Sequence, residues 1–575
     1  MPIHNEDIAK IFEEMADLLD IENANPFRVR AYRNAARSIR GMGHELEQML
    51  ASGTDLTKLP GIGTRLAAKI EEIVVTGHAN ALDKLHKEVP ASLEDLLHIP
   101  GLGPKRVRVL YHDLNIKTLK QLEHAARHGQ LQKLPGFGAK TEQRILETIQ
   151  SQHITEKRFL HHTAHHYVDP LVAYLSKVPG VLEVTVAGSY RRGQETVGDL
   201  DILVSAKSDS PVMQYFVDYD EVTEVVSKGS TRATVFLRSG LQVDLRVVES
   251  QSYGAALHYF TGNKAHNIQI RQLAQQRGLK INEYGVFKGD KRLSGKTEAS
   301  IFKAVGLPYI PPELRNGSDE IKAAQQHKLP KLISDEDLQG DLHVHTKASD
   351  GHASIEEMAH AARQRGLKYI AITDHSPSLT VAHGLDESRL LQQLEAIDKI
   401  NETFSDFKIL KGSEVDILED GRLDYHDSIL SQLDIVIAAV HSKFQLSRAK
   451  QTTRIQRAID SKYISILAHP SGRLLGERSA YDVDMSRIIS AASERGCFLE
   501  LNSQPQRLDL NDTYCQQAKQ QGVLVCINSD AHGPADFDHL SGGIHQARRG
   551  WLEKKDILNS RPLSQVMKFL NATRR

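Results

Sequence analysis

Cysteine is nearly absent from this sequence. Three residues (Cys497, Cys515 and Cys526) among 575, with no C-x-x-C spacing, exclude a disulfide framework and a thiolate zinc site. Long apolar runs are missing as well. None approaches the roughly 18 residues of a membrane span, so no membrane partner is expected. The first 20 residues read as an acidic amphipathic helix, without the cationic start and apolar core of a signal peptide. Neither sign of charge is in excess: 72 Lys and Arg against 73 Asp and Glu leave a net charge of −1. Bulk charge therefore predicts no nucleic-acid binding, and any such claim rests on local features.

What is present is an ordinary globular composition, 40% hydrophobic and 25% charged, in a chain long enough for about three or four domains. Histidine is abundant (28) and unevenly spread. The first 150 residues read as short helices separated by glycine turns. From about 181 the texture turns β-rich, with strand candidates at 181–187, 200–204, 234–237 and 242–247. Residues 255–280 return to helix, and the proline-rich stretch 307–337 reads as a linker. Beyond it, short apolar strands alternate with helices, the rhythm of a βα barrel or an open parallel sheet.

Three segments repeat one pattern: Leu59-Pro-Gly61-Ile-Gly63, Ile99-Pro-Gly101-Leu-Gly103 and Leu134-Pro-Gly136-Phe-Gly138. Glycine permits the positive φ of a tight turn, and the N–H groups that follow can cradle a phosphate at a helix N-terminus. Basic residues follow each copy: Arg65 and Lys69, Lys105 and Arg106, Lys140 and Arg144. Residues 101–150 hold nine Lys and Arg against four Asp and Glu. One copy alone would pass for a helix–helix turn, whereas three point to sequence-nonspecific, salt-dependent DNA binding. The pattern resembles the helix-hairpin-helix motif, and the resemblance implies Na⁺ or K⁺ held by the hairpins.

The segment Gly188-Ser189-Tyr-Arg-Arg192-Gly-Gln-Glu-Thr-Val-Gly198-Asp199-Leu-Asp201 carries two carboxylates two apart on a strand, both on one face. Such neighbours repel unless cations lie between them, the arrangement of two-metal phosphoryl transfer. Asp244, flanked by apolar alternation, is the candidate third member. Arg191 and Arg192 are candidates to hold a triphosphate. A bare Asp-x-Asp would more often be an exposed strand edge; its context decides against that here.

These residues resemble the polymerase beta-like branch of family X. The resemblance continues through Tyr259-Phe260-Thr-Gly262, Asn267, Arg271 and Ile281-Asn-Glu-Tyr284, which are similar to the family's thumb. It implies Mg²⁺ or Mn²⁺ at Asp199, Asp201 and Asp244. It also implies that Ser189, Arg192 and Gly198 line the triphosphate, that Tyr259 and Phe260 abut the incoming sugar, and that Asn267 and Arg271 contact the base pair and template. Gln242 departs from the arginine common in animal enzymes near the third aspartate. Tyr32 and Lys69 resemble positions of the family's deoxyribose-phosphate lyase domain, and Lys69 reads equally as a Schiff-base lysine or a phosphate contact.

After residue 340, ligand-type residues recur at strand ends: His343, His345, Asp350, His375, Glu414, His441, His469, Asp530 and His532. A lone histidine after a strand is most often a satisfied core or surface residue. Six with three carboxylates at equivalent places form a metal cluster of nitrogen and oxygen donors, suited to Mn²⁺, Zn²⁺ or Fe²⁺. Nine donors allow three ions. The spacing resembles the polymerase and histidinol phosphatase (PHP) family. That implies one ion at His343, His345, Glu414 and Asp530, a second at Glu414, His441 and His469, and a third at Asp350, His375 and His532.

The fold expected is therefore multidomain. Helix-hairpin-helix regions span 1–85 (lyase-like) and 86–150 (fingers), with an α+β nucleotidyltransferase palm at 151–250 and a thumb at 251–315. A linker at 316–337 leads to an α/β, distorted βα-barrel PHP domain at 338–575. The leading expectation is a gap-filling repair polymerase with its own 3′→5′ exonuclease and an abasic-site endonuclease, acting on gapped or nicked DNA and dNTPs as a cytoplasmic monomer. The alternatives are a DNA-targeted PHP nuclease with little polymerase activity, a phosphatase of small esters, and a non-catalytic DNA scaffold.

Overall fold

The computed structural model describes residues 5–40, 46–59, 61–90, 93–97, 99, 102–134, 136–138, 141–143, 145–146 and 158–574. They fall into two compact units, Met1–Lys157 and Arg158–Arg575. Among the described residues no helix is long and apolar enough to cross a membrane.

The first unit is helical, with its longer helices at Asn5–Ile21, Pro26–Arg40, Thr64–Thr76 and Pro104–Leu114. Ile8, Phe12, Met15 and Leu19 recur at helical spacing and close a core with Tyr32, Ala36 and Ile39. The Tyr32 ring meets Phe12 edge-on at 5.5 Å, so this tyrosine is a packing residue. Each glycine hairpin is plugged by its middle residue: Ile62, Leu102 and Phe137 are buried. Gly61 and Gly136 adopt φ of +70° and +83°, which the turn requires.

Gly63 and Gly103 are different. Both have φ near −77°, and both cap a helix without any side-chain bond. A Cβ at either, or at Gly138, would meet nothing within 4 Å. Neither turn nor packing demands glycine there; the bare backbone leaves the N–H groups of the next helix reachable from outside. Lys105 is exposed beside the second hairpin. Gly101, Lys140 and Arg144 lie outside the described residues.

The second unit starts with a short pair, β1 (Phe159–Leu160) and β3 (Thr196–Val197). Its first large sheet comprises β2 (Val181–Val186), β4 (Asp199–Ala206), β5 (Val222–Lys228), β6 (Arg232–Leu237) and β7 (Gln242–Val248) in the order β2-β4-β7-β6-β5. Strands β4 and β7 run parallel and every other pair is antiparallel. The helical stretch expected at 255–280 is two helices, Tyr253–Thr261 and Lys264–Gln276, broken at Gly262. The first packs Ala256 and Leu257 on Ala187 and Leu203, which seats it on the sheet of the preceding domain. A small sheet, β8 (Lys280–Asn282), β9 (Gly285–Lys288) and β10 (Lys291–Ser294), and helix Glu298–Ala304 follow.

The stretch expected to be a linker, 316–337, is folded. Helix Glu320–Gln325 buries Ile321 and Ala324 in the thumb core. Ile333 belongs to the core of the following domain, and its N–H donates to Leu552 O. Helical spacing of apolar residues within 320–325 was masked by the flanking prolines and charges.

Seven parallel strands make the last domain: β11 (Gly340–Val344), β12 (Tyr369–Ile372), β13 (Lys408–Asp416), β14 (Ile435–Ala439), β15 (Ile466–Leu467), β16 (Phe498–Asn502) and β17 (Val525–Asn528). They lie in chain order, and β11 returns to β17. There the His345 N–H donates to Ala531 O, and Asn528 Oδ1 accepts from Leu342 N–H at 3.1 Å. The sheet is a nearly closed barrel, with strand C-termini gathered at one end.

Glu298 joins palm to thumb. It accepts two bonds from Arg191 and one from the fully buried Arg315. Burial opposes its charge, but the two guanidiniums outweigh that and hold its pKa down to about 2. The folded pKa lies below the unfolded value, so this stabilisation is complete above about pH 4.5 and is lost as pH falls toward 2. Glu298→Ala leaves Arg315 buried and unpaired and is expected to cost about 3–5 kcal/mol. Thermal unfolding at neutral pH and at pH 3 checks this: the difference between variant and wild type shrinks at the lower pH.

Candidate active sites

The parallel register of β4 and β7 sets Asp201 opposite Asp244 and Asp199 opposite Gln242. Period-two alternation then puts all three carboxylates on one face. Thr234 Oγ1 donates to Asp244 Oδ1 at 2.6 Å and Gln242 Nε2 to Oδ2 at 2.7 Å, while Arg232 stands 3.3 Å from Oδ1. The charge missing at Gln242 is thus supplied by Arg232 from the next strand. Gly188 has φ +61°, and a Cβ on it would lie 2.4 Å from Asp201 Oδ2. The turn must be glycine for both reasons. Burial first, then the charges of Asp199 and Asp244, push the pKa of Asp201 up to about 7. A carboxylate trio that costs this much unaided fits divalent cations.

Ser189, Arg192 and Gly198 flank that face, all part-buried. Arg192 NH1 donates to Thr261 O at 2.8 Å, and its Nε is buried without a partner. Arg191 corrects the expectation of a second triphosphate arginine: its guanidinium is committed to Glu298 and Thr261. Arg246, two residues after Asp244, lies over the Phe260 ring at 4.6 Å, and Tyr259 packs edge-on against Phe260. Asn267 donates to Tyr259 O and Gly262 O, which fixes the Tyr259–Gly262 turn, while its Oδ1 is left without a partner. Arg271 is exposed one helical turn on and bonds Asn267 O.

In the barrel, all nine expected ligands converge on the strand C-termini. Three groups bring donor atoms within 4.8 Å: His345 with Asp350, His375 and His532; His343 with His345 and Asp530; and His375 with Glu414 and His441. Glu414 is central. Its Oε1 lies 2.9 Å from His469 and 3.2 Å from His441, and its Oε2 lies 2.8 Å from His375. The groups differ from the expected sets. His345 also faces the Asp350 group, His375 takes the place expected of His469 beside Glu414 and His441, and Glu414 is not grouped with His343, His345 and Asp530.

The electrostatics are those of lone pairs turned inward. His343 Nε2 and His345 Nε2 are 3.0 Å apart and fully buried. Burial alone would depress His375, but Glu414 and Asp350 outweigh it and raise the pKa to about 10. Burial and the nearby Arg507 guanidinium hold His469 down to about 4. Donors in such contact fit two or three shared cations.

Sequence reasoning missed the carboxylates behind the ligands. Glu500 on β16 is fully buried and meets His343 Nδ1 at 2.7 Å; it also accepts from the His469 N–H and from Asn528. Asp416 meets His441 Nδ1 at 3.2 Å. An acid inside the apolar strand Phe498-Leu-Glu-Leu-Asn502 was the available signal.

In the first unit, Lys69 lines a cleft of about 710 Å³ with Arg28, Lys84, Glu22 and Glu72.

Comparison with known proteins agrees with this geometry. Residues 3–79 match a helix-hairpin-helix domain family and 93–151 a SAM-like helix-hairpin-helix tandem. Residues 161–270 match the DNA polymerase beta palm, 256–316 its thumb and 341–504 the PHP domain. The DNA polymerase/3′-5′ exonuclease PolX of Bacillus subtilis (strain 168) is 38% identical over 572 residues, 99% of each chain. The chain belongs to the PolX family. Two further relatives fit within that family frame. A probable phosphatase of Thermoanaerobacter sp. (strain X514) is 31% identical over 41% of this chain and 95% of its own length. DNA polymerase lambda of Rattus norvegicus is 26% identical over 54% of this chain and 56% of its own. In this PolX chain the PHP match stops at 504, yet Asp530 and His532 from beyond it complete the cluster.

Glu500→Gln keeps the shape but weakens the acceptor that orients His343. It is expected to lower divalent-metal retention and 3′-end degradation about 10–100-fold, with gap extension unchanged. Metal content after dialysis and a degradation assay check it.

Proposed function

We propose that this chain fills short gaps in DNA during base excision repair and trims DNA 3′-ends at its PHP domain, with abasic-site cleavage as a further activity there. The carrying observation is the presence, in one chain, of two separate donor sets whose like charges and facing lone pairs call for cations. Mg²⁺ or Mn²⁺ in the palm, and up to three Mn²⁺ or Zn²⁺ ions in the barrel, supply Lewis acidity at neutral pH.

The residues do the rest. Thr234, Gln242 and Arg232 hold Asp244 in one orientation, which suits a carboxylate placed beside the primer 3′-hydroxyl. The Arg192 guanidinium, close to Asp199 and Asp201, suits a phosphate held by the same cations, with Ser189 and Gly198 beside it. Phe260, braced by Arg246, and Tyr259 form an aromatic wall suited to the incoming sugar. In the barrel, Glu500 and Asp416 orient His343 and His441. The hairpins of the first unit suit backbone phosphates of gapped or nicked DNA, with Na⁺ or K⁺ as their guests. The cleft at Lys69 supports a 5′-phosphate pocket, and the lyase role rests on the resemblance alone. We place the protein in the cytoplasm, as a monomer.

A labelled one-nucleotide gap with dNTPs and Mn²⁺ tests the reading. Asp199→Ala/Asp201→Ala is expected to abolish extension and spare 3′-end degradation, and His343→Ala/His345→Ala to do the reverse. Loss of both activities in the histidine variant, with none lost in the aspartate variant, sinks the polymerase assignment.

A further inference from the structure

Residues 188–198 form the loop that carries Ser189 and Arg192, and its far side does not face solvent. Glu195 points instead into the PHP domain. Arg473 meets it as a fork, with NH1 3.2 Å from Oε2 and NH2 2.6 Å from Oε1. Gln546, 1% exposed, donates to Oε1 at 2.6 Å. The two charged side chains are only 15% and 20% exposed, so this pair is shielded from water. Arg473 is itself fixed, donating to Arg507 O and Leu508 O, and it lies four residues after His469.

Two further contacts hold the same loop, one made directly by the PHP domain and one through the palm's own His161. Gly193 has φ +61°, and a Cβ there would stand 3.0 Å from the His545 Cβ, so the loop lies directly on the helix Leu540–Arg549. Tyr190 stacks on His161 at 4.4 Å, and His161 in turn meets the His545 ring at 5.6 Å. The palm and thumb hold the same segment as well: Arg191 forks onto Glu298, Arg192 NH1 donates to Thr261 O, and Arg158 donates to Thr196 O and Oγ1. Glu195 O accepts from His161 N–H, and Gln194 N–H donates back to Ser189 O.

We propose that the PHP domain completes the polymerase's nucleotide site. Arg473 and Gln546 are positioning residues which, through Glu195, hold the 188–198 loop in the shape that receives a nucleoside triphosphate. The inference rests on the reading that Ser189 and Arg192 line the triphosphate. The charge-assisted fork adds a shielded ionic tie at Glu195 to the bonds that palm and thumb make at Arg191, Arg192 and Thr196. Arg192 is three residues from Glu195, so an unclamped loop moves the guanidinium off the phosphates. The cost falls on nucleotide binding, because the palm carboxylates stand on β4 and β7, outside the loop.

The test uses full-length protein and equilibrium binding of a dNTP to enzyme on gapped DNA with a dideoxy-terminated primer. Single-nucleotide extension supplies kcat and KM. Glu195→Ala is expected to raise dNTP Kd and KM about tenfold with kcat nearly unchanged, and Glu195→Gln to restore part of the loss. Glu313→Gln breaks an ion pair between the PHP domain and the thumb, Arg548–Glu313 at 2.7 Å, and is expected to leave dNTP Kd unaltered. An equal rise in both variants overturns the proposal, since the effect is then general domain docking. If Arg192→Ala weakens dNTP binding and Glu195→Ala does not, the clamp alone fails. If neither weakens it, the triphosphate reading fails along with the clamp.

Discussion

Metal-ligating side chains crowded together away from water impose the constraint from which most of this structure follows. Asp199, Asp201 and Asp244 share one face of a sheet, and nine imidazoles and carboxylates share one end of a barrel. Neither set is stable as a free arrangement of side chains, so each is enforced by a framework that is rigid for other reasons. In the palm the enforcement is the parallel β4–β7 register, which fixes Asp201 opposite Asp244 whatever their charges. In the barrel it is the seven-strand order, whose apolar strands close a large core beneath the ligands. Burial then sharpens the penalty by removing water, and the site becomes a strong attractor for divalent cations.

The same logic governs the groups that support the ligands. Glu298 neutralises Arg191 and Arg315 where palm meets thumb, and Glu500 neutralises the outer nitrogen of His343 in the barrel. Each is a buried carboxylate held ionised by cationic or donor neighbours, and each fixes the orientation of a group that points elsewhere. The contact between palm and PHP domain also centres on a carboxylate, Glu195, which Arg473 and Gln546 grip. Glu298 and Glu500 thus have no seat in either ligand cluster, yet each fixes a group beside one.

Much of this was legible in the sequence. Asp-x-Asp on a strand, six histidines after apolar strands and three glycine hairpins each carry a spacing that follows from backbone geometry. Residues whose role depends on a partner far along the chain were not legible. Arg191 and Arg192 are adjacent and alike, yet one is spent on Glu298, over a hundred residues away, while the other bonds Thr261 O and lies near Asp199 and Asp201. Arg232 takes the place of an arginine lacking at 242 because it is on the neighbouring strand, which local spacing does not reveal. Helix Glu320–Gln325 was hidden for a third reason: its turn-and-charge composition reads as linker until His266 pairs with Glu320 across the thumb core.

The barrel's strand order has a consequence for the life of the chain. Its strands are laid down in the order in which they are synthesised, and the first closes only against the last. His343 and His345 sit on and just beyond β11, while Asp530 and His532 follow β17, so the cluster stays open at its seam until nearly the whole sequence has been made. The palm triad, by contrast, is complete once residue 244 has emerged. A growing chain thus carries every residue of the palm triad long before it carries every residue of the metal cluster, and the means to degrade nucleic acid come last.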